Sequence, residues 1–131
     1  MDLEQLNYYS KKLSYEMDSY DLYIALQEEQ NVVVVDGRTE EAYALEHIPG
    51  AINLPHRDIA SNTTKHLDKE SLYVCYCDGI GCNASTKTAM KLLTLGFKVR
   101  ELIGGLDWWK RDGYAIDGKS SQNGKEIICG C

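Results

Sequence analysis

The chain has 131 residues, 44% of them hydrophobic and 26% charged, a balance that describes one domain burying roughly 65–70% of its unfolded surface and excludes a disordered or multidomain protein. A formal net charge of -6 repels phosphate backbones and leaves no electrostatic footprint for nucleic acid. No apolar run approaches the ~20 residues that span a bilayer, and the acidic opening Met1-Asp2-Leu3-Glu4 lacks the plan of a signal peptide. The expected location is cytoplasmic, with neither membrane nor nucleic acid as a partner.

Leu3, Leu6, Tyr9 and Leu13 recur at three- and four-residue intervals and predict an amphipathic helix over residues 2–13. It makes residues 1–14 an N-terminal element packing on the domain that follows. Asp18 or Ser19 caps a second helix to about Glu29, with Tyr20, Tyr23, Ile24 and Leu26 as its apolar positions. Residues 32–35 are four valines without alternation, the pattern of a strand covered on both faces in a parallel sheet. Asp36-Gly37-Arg38-Thr39 ends that strand, and Thr39 caps a short helix over 40–45. Residues 51–54, bounded by Pro49-Gly50 and Pro55, and residues 72–77 read as two more strands.

The loop Asp78-Gly79-Ile80-Gly81-Cys82-Asn83 then opens a helix over about 85–95 with Ala89, Leu92 and Leu93 as its buried stripe and Gly96 at a left-handed C-cap. Residues 99–102 form the last strand, Gly104-Gly105 the turn after it, and 106–111 a final helix stopped by Gly113. Strands alternating with helices predict an α/β fold, an open parallel sheet flanked by helices on both faces. The domain covers residues 15–117, and residues 118–131, polar and glycine-rich and closing on Cys129-Gly130-Cys131, read as a flexible tail.

In open α/β sheets reactive groups gather at the carboxyl ends of the strands, here Asp36, Cys77 and the Gly104-Gly105 turn. Five cysteines without an export signal read as reduced thiols rather than a disulfide framework. Cys75 reads as a buried small hydrophobe. Cys77 ends a strand, and a loop of amides leading into a helix N-terminus favours its thiolate and any anionic sulfur attached to it. Gly79 and Gly81 are expected to supply unusual backbone angles to that loop. Cys82, five residues on, is either the nucleophile itself or a resolving thiol whose disulfide with Cys77 makes the site redox-switchable. The cysteines lack the paired Cys-x-x-Cys spacing of a zinc site, so no metal is expected.

Val34-Val35-Asp36-Gly37-Arg38-Thr39-Glu40-Glu41, His47-Ile48-Pro49-Gly50-Ala51-Ile52-Asn53-Leu54-Pro55, the Tyr76-Cys77 strand end with its loop, and Gly104-Gly105-Leu106-Asp107-Trp108-Trp109 together resemble the rhodanese-like domains over about residues 15–117. The resemblance implies a rhodanese-like open parallel sheet and a catalytic cysteine that carries persulfide sulfur between a donor and an acceptor. By position that cysteine matches Cys77. Counting back from the helix instead puts the family's cysteine at Gly79, midway between Cys77 and Cys82, because the loop is two residues longer than in common members. Ala84 stands at the usual arginine position, and Asp78 adds a negative charge.

The substrate-binding loop implied is Asp78, Gly79, Ile80, Gly81, Asn83, Ala84 and Ser85, with Cys77 and Cys82 as its thiols. Asp36, Arg38 and His47 resemble structural supports that tie down neighbouring loops, and Trp108 and Trp109 read as core and rim packing. The leading function is a sulfurtransferase or persulfide carrier of the thiosulfate sulfurtransferase type, taking sulfur from thiosulfate or a persulfide and passing it to cyanide, a thiol or a partner protein's cysteine, with no cofactor. The alternative is a non-catalytic binding or thiol-redox-sensing module in which Cys77 and Cys82 switch between dithiol and disulfide. A phosphatase or arsenate-reductase reading needs an arginine to hold an oxyanion, and residues 78–86 contain neither Arg nor Lys. A relay from Cys129 and Cys131 back to the loop is a further expectation.

Overall fold

The first three helices begin where a short polar side chain takes up an otherwise unpaired amide. In the computed structural model, which describes residues 1–119, Asp2 accepts from the Gln5 amide at the start of α1 (Leu3–Tyr15). A two-residue strand, β1 (Glu16–Met17), follows, and Asp18 accepts from the Asp21 amide to open α2 (Ser19–Gln27). After β2 (Val32–Asp36), Thr39 accepts from the Ala42 amide and caps α3 (Glu40–Leu45). The brief β3 (Ile52–Asn53) and a 3-10 turn (His56–Asp58) lead to β4 (Leu72–Tyr76). The chain closes through α4 (Ala84–Thr94), β5 (Lys98–Leu102) and α5 (Gly105–Arg111).

The five strands lie parallel in the order β1-β5-β4-β2-β3. Side chains alternate across a strand, so the valine run divides between two cores. Val34 joins Leu22, Ile48, Val74, Tyr76, Leu106 and Trp109 on one face. Val35 joins Tyr73, Cys75, Ala89, Leu92 and Phe97 on the other. Gly96 takes the left-handed C-cap conformation after α4 with φ 95°.

Two details differ from the sequence reading. β1 was not expected; its two residues pair with Glu101 and Leu102 at the sheet edge, and a strand that short carries no periodicity to read. The strand predicted over 72–77 ends at Tyr76. At the predicted end of the domain, Asp117 and His47 exchange two backbone hydrogen bonds at 2.9 Å. Residues 120–131, including Cys129 and Cys131, lie outside the described residues.

No residue of α1 is buried. The helix borders a cleft of about 650 Å³ lined by Tyr8, Tyr15, Met90, Leu93 and Val99 among others, and no residue of the cysteine loop lines it. No helix among the described residues is long and apolar enough to cross a membrane.

Candidate active site

The carboxyl ends of β2 and β4 lie side by side, with Asp36 in register with Tyr76, and Cys77 is the first residue beyond β4. Asp36 and Arg38 are 0% and 1% exposed. A buried charge is tolerated when it is paired and its remaining donors are used. Arg38 meets both conditions: Nη2 donates to Asp36 at 2.7 Å and to the Glu46 carbonyl at 2.6 Å, Nε donates to Asp36 at 3.0 Å, and Nη1 donates to Asp78 at 3.0 Å. Burial by itself pushes the guanidinium down, and Asp36, supported by Asp78, more than reverses that and holds its pKa above the ordinary value. Asp36 also accepts from the Tyr76 hydroxyl at 2.8 Å, which in turn accepts from the Ile48 amide at 3.1 Å. The charge that Asp78 adds to the loop is therefore set against Arg38.

Asn53 extends the same network by donating to the carbonyls of Asp36 and Arg38 at 3.1 and 3.0 Å. His47 lies on the connection between α3 and β3, where its ring stacks on Tyr43 at 3.8 Å and its Nδ1 is 2.7 Å from the Tyr43 carbonyl. Glu46, 1% exposed, pairs with Lys110 at 2.9 Å. Trp109 is buried and donates to the Ala115 carbonyl, while Trp108 is 46% exposed.

From the other side, α5 grips the start of the loop. The Leu106 amide donates to the Cys77 carbonyl at 2.9 Å and the Asp107 amide to the Asp78 carbonyl at 2.8 Å. That approach requires a residue without a side chain at 105. Gly105 has φ 58°, and a Cβ there would run into the Cys77 carbonyl and stand 3.0 Å from the Gly79 nitrogen. Around this loop the positive φ angles thus belong to Gly104 and Gly105 rather than to Gly79 and Gly81, which the sequence reading had singled out. Gly79 matters for space, since its Cβ would lie 3.3 Å from that of Asp107, and at Gly81 a Cβ would meet nothing.

The five cysteines do not all remain thiols, as the sequence reading expected. Cys77, 1% exposed, is joined to the half-buried Cys82 in a disulfide with Cα atoms 6.3 Å apart, because the loop doubles back and brings them within the usual bonding range. The turn is closed by the Cys82 amide donating to the Gly79 carbonyl at 3.2 Å, and the Ala84 amide at the start of α4 points to Cys82 Sγ at 3.5 Å. Ile80, Gly81 and Asn83 are exposed, with Ile80 82% so. Ala84 and Ser85, read with the loop, are the first two residues of α4 and are buried. Cys75 is fully buried; burial, with Glu101 nearby, pushes its thiol well above the ordinary range, which makes it a poor nucleophile.

Cys77 Sγ, Cys82 Sγ and an Asp78 carboxylate oxygen lie within 4.8 Å of one another. In this state the sulfurs are bonded to each other and the carboxylate to Arg38, which takes all three away from a metal ion. Glu46 was not singled out from the sequence, and Tyr76 entered only as part of the strand end, without a role of its own. Tyr76 stands inside an apolar strand and reads as core, and Glu46 contributes a carbonyl that every residue type carries.

The Rhodanese-like domain model matches residues 19–112. A thiosulfate sulfurtransferase of Coxiella burnetii is 36% identical over 87 residues, covering 65% of this chain and 78% of that protein. An HTH-type transcriptional regulator of Mycobacterium tuberculosis is 32% identical over 91 residues, covering 70% of this chain, which spans only 40% of the regulator's length. Among solved structures, a Bacillus halodurans protein is 40% identical with a TM-score of 0.91, over 98% of this chain and 93% of that one. A Lactobacillus plantarum protein is 28% identical with a TM-score of 0.78, over 90% and 99%.

Proposed function

Because the chain belongs to the rhodanese-like domain family, we propose that it is a sulfurtransferase that carries sulfane sulfur as a persulfide on Cys77. The observation that carries this reading is the place of Cys77, at the carboxyl end of a central strand and beneath a loop whose first residues are held by α5. The similarity to thiosulfate sulfurtransferases supports it. The site works from the dithiol form. Cys77 thiolate attacks the sulfane sulfur of a donor such as thiosulfate, the donor's sulfur–sulfur bond breaks, sulfite leaves with the bonding pair, and Cys77 holds the persulfide. A nucleophilic acceptor, either cyanide or a thiol, then takes the outer sulfur and restores the thiolate. Asp36, Arg38 and Tyr76 act by positioning, since they fix the strand ends and Asp78.

The test is intact-mass analysis of fully reduced protein after thiosulfate treatment, with peptide mapping. One added sulfur atom that cyanide removes, seen in Cys82→Ser and absent from Cys77→Ser, is the expected result. A second reading, a thiol-redox module without sulfur transfer, is favoured by the Cys77–Cys82 disulfide. Failure of every Cys variant to take up sulfur from thiosulfate or glutathione persulfide, with the disulfide forming under mild oxidation, would select it.

A further inference from the structure

Cys82 is a half-buried thiol within bonding reach of Cys77, on the limb of the loop opposite the one that α5 grips. Its sulfur sits before the first amides of α4, with the Ala84 N–H 3.5 Å away, a position that favours a thiolate. A simple sulfur carrier has no use for a second thiol so placed, because any persulfide formed on Cys77 stands next to an internal nucleophile at high effective concentration. We propose that Cys82 is a resolving thiol that converts the Cys77 persulfide into the Cys77–Cys82 disulfide and releases hydrosulfide, so that the protein works as a dithiol-dependent reductase of sulfane sulfur. This rests on Cys77 being loaded as described above.

The step balances. Cys82 thiolate attacks the inner sulfur of the persulfide, Cys77 Sγ; the bond from Cys77 Sγ to the outer sulfur breaks, and that sulfur leaves with the electron pair as sulfide, taking up a proton to give hydrosulfide. The sulfane sulfur gains two electrons and the two cysteines together lose two. With thiosulfate as donor, the products of one cycle are sulfite, hydrosulfide and the disulfide. An external dithiol, small or carried by a reductase protein, reduces the disulfide by exchange and starts the next cycle. The alternative attack, on the outer sulfur, moves the persulfide to Cys82 and oxidises nothing.

The experiment uses the full chain, fully reduced and freed of reductant, mixed with thiosulfate and in parallel with glutathione persulfide. Sulfide is measured and the protein mapped by mass. The expected result for the wild type is one sulfide per chain, no retained sulfur and a Cys77–Cys82 disulfide. Cys82→Ser is expected to retain one sulfur on Cys77 and to release sulfide only after dithiothreitol is added. Loading of Cys82→Ser together with a wild type that keeps its sulfur, on either cysteine, and releases no sulfide overturns the resolving role and leaves sulfur transfer standing. A new disulfide mapped to Cys129 or Cys131 instead overturns it too. No loading of Cys82→Ser by either donor overturns the sulfur-transfer reading itself.

Discussion

Residues 77–79 and residues 80–83 share one loop, yet they are held in opposite ways. The first limb is clamped from two sides: α5 amides take the carbonyls of Cys77 and Asp78, and the Asp78 carboxylate takes Arg38, which is itself buried against Asp36. The second limb carries Ile80, Gly81 and Asn83 into solvent and returns to the protein at Cys82 and α4. Holding Cys77 from two sides while the half-buried Cys82 follows exposed neighbours is the arrangement that the proposed loading and resolving steps require. The difference lies in where the backbone groups find partners, not in hydrophobicity.

Three perturbations probe that contrast. Arg38→Ala should be the most damaging, because it leaves the Asp36 carboxylate uncompensated at 0% exposure; broken buried pairs of this kind cost about 3–5 kcal/mol. Urea denaturation of the reduced protein checks it, and a loss below about 1 kcal/mol, the range of an exposed pair, would show that the network is not the anchor of the first limb.

Tyr76→Phe comes next. It removes the hydroxyl that donates to Asp36 and accepts from the Ile48 amide, a loss of about 1–3 kcal/mol for unsatisfied buried groups. It also carries a pH signature. Burial, then Asp36, holds the Tyr76 phenol well above its ordinary value of 10.0. A group whose pKa is higher in the folded state binds more protons there, so its contribution is complete below the unfolded value and is lost as pH climbs past it. Stability measured by denaturation at increasing pH should fall above pH 10.0 in the wild type and fall less steeply in Tyr76→Phe. Parallel slopes in the two proteins would detach Tyr76 from this effect.

Ile80→Ser is the smallest change. The side chain is 82% exposed, and substitutions at such sites stay within about 0.5 kcal/mol. A larger loss in the same denaturation assay would mean that the second limb is packed rather than open.

Much of the frame was legible along the chain. The caps at Asp18 and Thr39, the uninterrupted valines of β2, and Gly96 after α4 each follow from local chemistry that needs no distant partner. The site was legible only in outline. Asp36, Arg38 and Cys77 stand at strand ends, and that placement follows from the alternation of elements. The pairing of Arg38 with Asp78 spans 40 residues, and nothing in either segment announces it. Gly79 and Gly81 read as the special loop glycines, while beside the loop it is Gly105 that takes a positive φ, a need that arises from α5 coming within hydrogen-bonding distance of another part of the chain.

By itself, the order of residues determined the α/β architecture and the presence of a strand-end cysteine with a second thiol five residues on, because periodicity, capping and turn chemistry act over a few residues. The tertiary structure alone decided that Cys77 is covered, that Cys82 folds back onto it, and that the negative charge of Asp78 is met by a buried arginine. Those outcomes depend on which strand ends become neighbours in the sheet and on how closely α5 approaches the loop. Such distances are set by packing and by the burial of charge, and no local stretch of sequence contains them.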